Sequence, residues 1–176
     1  MQWLPLRCHP SSPCPAIYAI KVAGQRLSDS LFSVSYELSG ELDKIRIPPI
    51  ADSIRRDELW RHTCAEMFVA IPDQDAYYEF NFSPATQWAA YEFSLYRQGM
   101  RPAECEAPTI RVNQSAATMV LQVEVNVPKG LAVHAHWQVG LTMVIEGLHG
   151  QWSYWALSHA DARPDFHRRE SFIANF

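Results

Sequence analysis

Acidic, amide and indole side chains recur at alternating positions of the segment "AEMFVAIPDQDAYYEFNFSPATQWAAYEF", residues 65–93, which contains no lysine. The polar positions are Glu66, Glu79, Asn81 and Glu92, joined by the amphipathic Trp88. Carboxylate and amide oxygens accept hydrogen bonds from hydroxyl groups, and flat aromatic rings cover apolar C–H faces. Together these residue types predict a binding site for a polyhydroxylated or planar ligand.

The strands that carry these residues must turn their polar sides toward one place. Glu79 and Asn81 alternate with aromatic residues, so they share one face of a strand. The turn "SPATQ" predicts that this strand and the next form a hairpin. We expect Trp88 and Glu92 on the same face as Glu79 and Asn81, with Glu66 on an adjacent strand. The alternative is that Glu79 and Glu92 are ordinary surface residues and Trp88 caps the hairpin.

Period-two alternation of apolar and polar residues extends over much of the chain. It is clearest in "LFSVSYELS", "MVLQVEVNV" and "WQVGLTMVIEG", and turn-forming residues separate the candidate strands. The one segment with helical character is "ADSIRRDELWRHT", residues 51–63, where Asp52 or Ser53 could cap a turn. This pattern predicts an all-β protein: an antiparallel β-sandwich, immunoglobulin-like or jelly-roll-like, with at most short helical turns.

Length and composition restrict the class of protein. A chain of 176 residues suits a single domain, here residues 1–176, and 48% hydrophobic residues are typical of globular proteins. A net charge of −4, without a long basic run, disfavours nucleic-acid binding. No apolar run is long enough to span a bilayer, and the first residues lack the charged cap and apolar block of an export signal. We therefore expect a cytoplasmic protein with no membrane partner.

Three blocks of the sequence, "LWRHTCAEMFVAI", "YYEFNFSPATQWAAYEFSLYRQGM" and "YWALSHADARPDFHRRESF", resemble the DOMON-like proteins of bacteria. These proteins belong to the superfamily of DOMON domains and family-nine carbohydrate-binding modules. The resemblance is strongest over residues 59–172 and implies a β-sandwich with a ligand pocket on one sheet, which binds sugars or haem and often has no catalytic role. The residues that match the polar positions of the family are Trp60, Arg61, Glu66, Glu79, Asn81, Trp88, His159, Asp165 and His167.

The prediction is therefore a non-catalytic β-sandwich that binds a small, carbohydrate-like molecule without a cofactor. One alternative is non-covalent haem binding, for which candidate axial ligands are Met67, Met100, His159 and His167. Another alternative is a protein-interaction module that uses the aromatic face. The sequence does not define an oligomeric state.

Catalytic and metal-binding interpretations have weaker support. His134 and His136 lie on one side of an extended segment, but a metal site would need a further ligand such as Glu146 or His149. Asp165 and His167 could form an acid–base pair, yet no nucleophile has a defined position beside them. We expect no metal site, and an enzymatic role is disfavoured.

Overall fold

The alternating segments form β-strands in the structure, a computed structural model that describes residues 2–176. All pairings between these strands are antiparallel. The strands are β1 (Leu4–Cys8), β2 (Ile17–Arg26), β3 (Leu31–Gly40), β4 (Cys64–Ala70), β5 (Tyr77–Phe82), β6 (Trp88–Phe93), β7 (Arg101–Pro102), β8 (Thr109–Gln114), β9 (Thr118–Asn126), β10 (Gln138–Glu146), β11 (Trp152–Ala156) and β12 (Ala174–Asn175).

The strand β1 belongs to both layers of the fold. Its first residues, Leu4 to Leu6, pair with β2, whereas Arg7 and Cys8 pair with β11. A first layer has the order β2-β3-β9-β8, and a second layer has the order β11-β10-β4-β5-β6-β7, with β12 also beside β10. The all-β, antiparallel sandwich predicted from the sequence is confirmed.

The main core lies between the layers and contains the apolar residues that the alternation placed inside. Val34 of the first layer and Met67 and Phe80 of the second belong to one buried cluster. The Tyr36 hydroxyl of β3 donates a hydrogen bond of 2.7 Å to the main-chain carbonyl of Glu66 on β4, which ties the layers together. Burial of each large apolar side chain contributes about 1.5–3 kcal/mol, so this core supplies most of the driving force for folding.

The outer face of the second layer is also covered. Residues 157–172, here named the cover segment, follow β11 without regular strand structure and place Phe166 and Phe172 over this face. A second buried cluster joins those rings to Phe68, Tyr77 and Tyr91. As a result, every residue of β4 is buried, and polar residues on this face are shielded from water.

Helical structure in residues 2–176 is limited to single turns. They are one α-helical turn, α1 (Lys129–Ala132), and the 3-10 turns Leu42–Lys44, Leu59–Arg61 and Arg169–Ser171. Each helix found in the described residues is too short to reach across a membrane.

The helical segment predicted within residues 51–63 is mostly extended, and neither Asp52 nor Ser53 caps a helix. Only the turn at Leu59–Arg61 is helical, and it has no side-chain cap. The preceding residues instead bond to the β5–β6 hairpin: the Arg56 amide donates to the Trp88 carbonyl at 2.9 Å, and the Trp88 amide donates to the Ile54 carbonyl at 3.2 Å. These pairings with a strand edge replace the local bonds of a helix.

Candidate ligand-binding site

The register of the β5–β6 hairpin decides which side chains share the outer face. The Ser83 amide donates to the Gln87 carbonyl at 2.9 Å, so Pro84, Ala85 and Thr86 form the loop, with Thr86 in the left-handed region at φ 70°. Such a loop, with one left-handed residue, is common in hairpins. Even-numbered residues of β5 therefore face even-numbered residues of β6, and odd-numbered residues face odd-numbered ones.

The predicted placement of Trp88 and Glu92 beside Glu79 was wrong. Trp88 lies opposite Phe82 and Glu92 opposite Tyr78, on the side that faces the first layer. Trp88 is only 6% exposed, in the main core, and the Arg55 guanidinium lies 4.7 Å from the centre of its ring. Glu92 forms an ion pair with Arg101 at the end of its strand.

The predicted proximity of Glu66, Glu79 and Asn81 is confirmed. Glu66 on β4 lies directly opposite Asn81 on β5. The Asn81 amide Nδ2 donates a hydrogen bond of 2.7 Å to Glu79 Oε1. Glu66 is 3% exposed, Glu79 5% and Asn81 0%, so these polar groups lie beneath the cover segment. Asn81 thereby fixes the orientation of the Glu79 carboxyl group.

A cavity of about 330 Å³ lies between these residues and the cover segment. Small-molecule sites typically enclose about 300–1,000 Å³ and combine apolar walls with a few polar groups. Its lining consists of Trp60, Glu66, Glu79, Phe93, Arg97, Met100, Val144, Tyr154, Pro164, Phe166 and His167. Arg97 and Met100 are half-exposed and mark the opening, whereas the glutamates lie at the inner end.

Sequence reasoning identified part of this lining and missed the rest. Trp60, Glu66, Glu79 and His167 were predicted and do line the cavity. The missed residues are Phe93, Arg97, Val144, Tyr154, Pro164 and Phe166, whereas Met100 was considered only as a haem ligand. Phe93 was predictable in principle, because the observed pairing of β5 with β6 places it on the same face as Glu79.

His167 presents a hydrogen-bond donor to the cavity. The Tyr77 hydroxyl oxygen accepts a bond of 3.1 Å from the Arg97 amide and lies 2.7 Å from His167 Nδ1. In the tautomer that carries the imidazole proton on Nε2, Nδ1 is the acceptor of the Tyr77 hydroxyl proton. Burial, together with the positive charge of Arg97, lowers the pKa of His167 to about 4, so this histidine is neutral near pH 7.

Asp165 holds the opening of the cavity in place without lining it. Its carboxylate accepts hydrogen bonds from Arg97 Nη2 at 2.9 Å and from the His167 amide at 3.0 Å, and it also accepts one from the Tyr96 hydroxyl. These bonds lower the pKa of Asp165 despite its partial burial. Asp165 therefore positions both Arg97 and His167.

The two inner carboxyl groups favour their protonated forms. Burial raises the pKa of Glu79 to about 7, although the Asn81 bond and Arg97 act in the opposite direction. Burial and the charge of Glu79 raise the pKa of Glu66 well above its ordinary value. Glu66 Oε1 has no hydrogen-bond partner among the described residues. An ionised carboxylate in such surroundings is costly, so burial favours the protonated form of Glu66 in the free protein.

Arg61 and His159, also predicted as ligand-binding residues, lie outside the cavity lining. Arg61 pairs with Glu58 at 2.8 Å on the exposed side of its turn. His159 Nε2 lies 2.8 Å from the Arg7 carbonyl oxygen, and its ring contacts His9 with centroids 4.7 Å apart. The observed contacts of His159 connect the cover segment to β1.

Of the four candidate haem ligands, Met100 and His167 line the cavity, whereas Met67 and His159 do not. Met67 lies in the core between the layers, and His159 Nε2 is directed at a carbonyl oxygen. His167 Nε2 lies 3.8 Å from Glu79 Oε2, so the carboxyl group occupies space that a porphyrin bound at this nitrogen needs. Within residues 2–176, no three acidic, cysteine or histidine residues lie close enough together to hold a metal ion.

Comparison with known proteins gives matches at the level of structure. No family model and no curated protein matches the sequence. A protein from Bacteroides uniformis ATCC 8492, to which carbohydrate binding is attributed, superposes with a TM-score of 0.63 at 14% identity, over 99% of this chain and 85% of that one.

A family-nine carbohydrate-binding module from Caldicellulosiruptor kristjanssonii is also similar in two structures. The complex with glucose gives a TM-score of 0.57 and the complex with cellotriose 0.58, each at 9% identity and over 99% of this chain, with 82% and 80% of the other chain covered. The chain therefore has the same fold as these proteins, as its resemblance to family-nine modules implies.

Proposed function

We propose that this protein binds a small carbohydrate of about one sugar ring in the cavity beneath the cover segment. The observation that carries the proposal is the composition of the lining, in which the buried Glu79 carboxyl, oriented by Asn81, lies among four aromatic side chains. Aromatic rings provide surfaces for the C–H faces of a sugar, and the carboxyl oxygens accept bonds from its hydroxyl groups.

The aromatic walls are held in position before any ligand binds. The Phe93 ring stacks on Tyr77, with centroids 4.8 Å apart and an interplanar angle of 3°. Trp60 packs edge-on against Tyr91 at 5.7 Å, and Phe166 against Tyr154 at 5.9 Å. A preformed site loses less conformational entropy on binding, which favours affinity for a weakly binding class of ligand.

The polar groups of the lining can accept hydrogen bonds from a sugar hydroxyl group and can also donate hydrogen bonds to it. Glu66 and Glu79 supply acceptor oxygens at the inner end, and His167 Nε2 supplies a donor beside Glu79. Arg97, at the opening, adds further donors while it remains bound to Asp165. Each hydroxyl group that binds here can therefore exchange its bonds to water for bonds to the protein.

The structural neighbours support this proposal at the level of the fold. One neighbour is a carbohydrate-binding module that has been observed with glucose and with cellotriose. Because fold alone does not define a ligand, the lining residues of this chain carry the argument.

Thermal-shift and calorimetric titrations with monosaccharides and disaccharides test the proposal. A ligand that binds only the native state raises the melting temperature in proportion to its saturation. We expect Trp60→Ala, which removes one wall, to weaken binding about tenfold or more. The control is Trp3→Ala, because Trp3 is 42% exposed and lies beside Leu4, which pairs with Val22 of the first layer. A flat response to all sugars at millimolar concentration would contradict the proposal.

A further inference from the structure

The cavity lining contains more acidic than basic side chains. Arg97 is the only lysine or arginine among the described lining residues, and its guanidinium is bound to Asp165 at 2.9 Å. His167 is neutral near pH 7 because burial and Arg97 lower its pKa to about 4. The inner carboxyl groups of Glu66 and Glu79 therefore have no cationic side chain of their own.

Glu66 presents a hydrogen-bond acceptor at the inner end of the cavity, opposite Thr142 of β10, whose hydroxyl also lacks a partner among the described residues. The Glu66 side chain lines the cavity, it is 3% exposed, and its Oε1 has no hydrogen-bond partner among residues 2–176. Buried polar atoms without partners are uncommon in native proteins, and each requires an explanation such as a ligand, water or ion. Glu79, on the neighbouring strand, adds a second carboxyl group to the same end.

The aromatic walls also favour positive charge. Trp60, Phe93, Tyr154 and Phe166 surround the space above the two carboxyl groups. The faces of aromatic rings attract cations, and such rings combined with carboxylates form binding sites for ammonium groups. A neutral hydroxyl group can bond to a carboxylate, whereas an ammonium substituent on a sugar ring supplies donors and a compensating charge together.

We infer that the ligand is an amino sugar, whose ammonium group binds between Glu66 and Glu79 while its ring lies against the aromatic walls. This inference rests on the proposed carbohydrate-binding function and specifies its ligand class. The ammonium group acts as a counter-ion, so one of the two carboxyl groups can ionise without the cost of an isolated buried charge.

Other titratable groups near the two glutamates do not supply that charge. They are the phenols of Tyr36, Tyr77, Tyr91 and Tyr154 and the thiol of Cys64, and burial raises the pKa of each, so all are neutral near pH 7. Arg97 lowers the pKa of both glutamates only in part, and Asp165 offsets the arginine charge. The pH dependence of binding should therefore follow Glu66 and Glu79.

A cationic ligand must release protons from these carboxyl groups. Burial raises the pKa of Glu79 to about 7 in the free protein, and bound positive charge lowers it. Affinity for an amino sugar should therefore rise with pH below about pH 7, by up to tenfold per pH unit for each proton released, while the amine stays charged. A neutral sugar should show no comparable release.

Isothermal titration with glucosamine, glucose and N-acetylglucosamine at about pH 7, in buffers of different ionisation enthalpy, tests the inference. We expect glucosamine to bind about tenfold or more tightly than either neutral sugar and to release protons. If glucose binds and glucosamine binds equally or less well, the inference is wrong and the proposed function stands. If none of the sugars binds, both are wrong.

Glu79→Gln provides a variant that keeps the shape of the site. We expect the loss of affinity for glucosamine to be about tenfold or more larger than the loss for glucose, because glutamine keeps an acceptor oxygen but carries no charge. The control is Glu92→Gln, which alters a glutamate of the same hairpin that faces away from the cavity and pairs with Arg101. An equal loss for both sugars in Glu79→Gln, with an unchanged melting temperature, would contradict the role of charge.

Discussion

At the scale of single residues, the inner end of the cavity holds Glu66, Glu79 and His167. Each of these side chains would destabilise the folded state if it carried an unpaired charge. Glu79 and His167 face each other with 3.8 Å between Oε2 and Nε2, and Glu66 lies on the next strand. Burial shifts the pKa of the glutamates upward and that of His167 downward. Burial thus favours the neutral forms of these ionisable side chains at the inner end of the cavity.

This arrangement predicts how the stability of the free protein depends on pH. Burial raises the pKa of Glu79 from 4.5 to about 7, so the folded state holds a proton that the unfolded state releases between these values. The titration of Glu79 therefore lowers the free energy of unfolding as the pH rises from 4.5 to about 7. We expect Glu79→Gln to match the wild type near pH 4.5 and to be more stable by about 1–3 kcal/mol near pH 7.5.

Urea denaturation at several pH values measures this difference. His167 acts in the opposite direction, because its lowered pKa destabilises the folded state as pH falls from 6.5 toward about 4. At pH 4.5 residue 79 is uncharged in both folded proteins, and at pH 7.5 His167 is neutral, so His167 contributes equally to both proteins at these two pH values. A difference between the proteins that does not change with pH would contradict the assigned role of burial.

At the scale of elements, the cover segment encloses the cavity on the outer face of the second layer. Phe172 stacks on Phe68 of β4 with centroids 5.6 Å apart, and Gly140 of β10 allows this approach, because a Cβ at that position would lie 2.8 Å from Phe172 Cδ1. The same segment carries Phe166 and His167 into the cavity lining. Its packing on the sheet therefore determines the position of the ligand-facing groups.

We expect Phe172→Ala to destabilise the protein by about 3–5 kcal/mol, because it removes a buried ring and leaves a cavity. Sugar affinity should fall as well, since the segment that carries His167 loses its anchor. Denaturant titration measures the first effect and calorimetry the second. Ile173→Ala is the control, because the adjacent Ile173 is 53% exposed and its truncation should change stability by less than about 0.5 kcal/mol. Equal effects of the two variants would argue against anchoring by Phe172.

The local residue pattern was sufficient to predict the strands. It failed where a loop determines which side chains face the cavity. The alternation in β4 and β5 correctly placed Met67 and Phe80 inside and Glu66 outside, because strand periodicity is a local property. Trp88 was misplaced because the hairpin loop determines which residues of β6 face inward. Phe166 and Arg97 lie outside regular strands, so no periodicity indicated that they line the cavity.

At the scale of the whole molecule, the sandwich has one layer that faces solvent and one that is covered on both sides. In β9, buried and exposed residues alternate from Met119 to Asn126, apart from the half-buried Val120, whereas β4 buries every residue from Cys64 to Ala70. The cavity proposed as the binding site lies on the doubly covered layer. The first layer contributes to it through the core that supports the second layer.

The division of β1 between the layers has a consequence for the order of events during synthesis. Arg7 and Cys8 pair with Ala156 and Trp155, which follow them by 149 and 147 residues. A ribosome must therefore release the chain as far as β11 before the seam between the layers can close, and until then the early strands expose an unpaired edge. Such long-distance pairing slows folding and makes a nascent chain dependent on protection from aggregation.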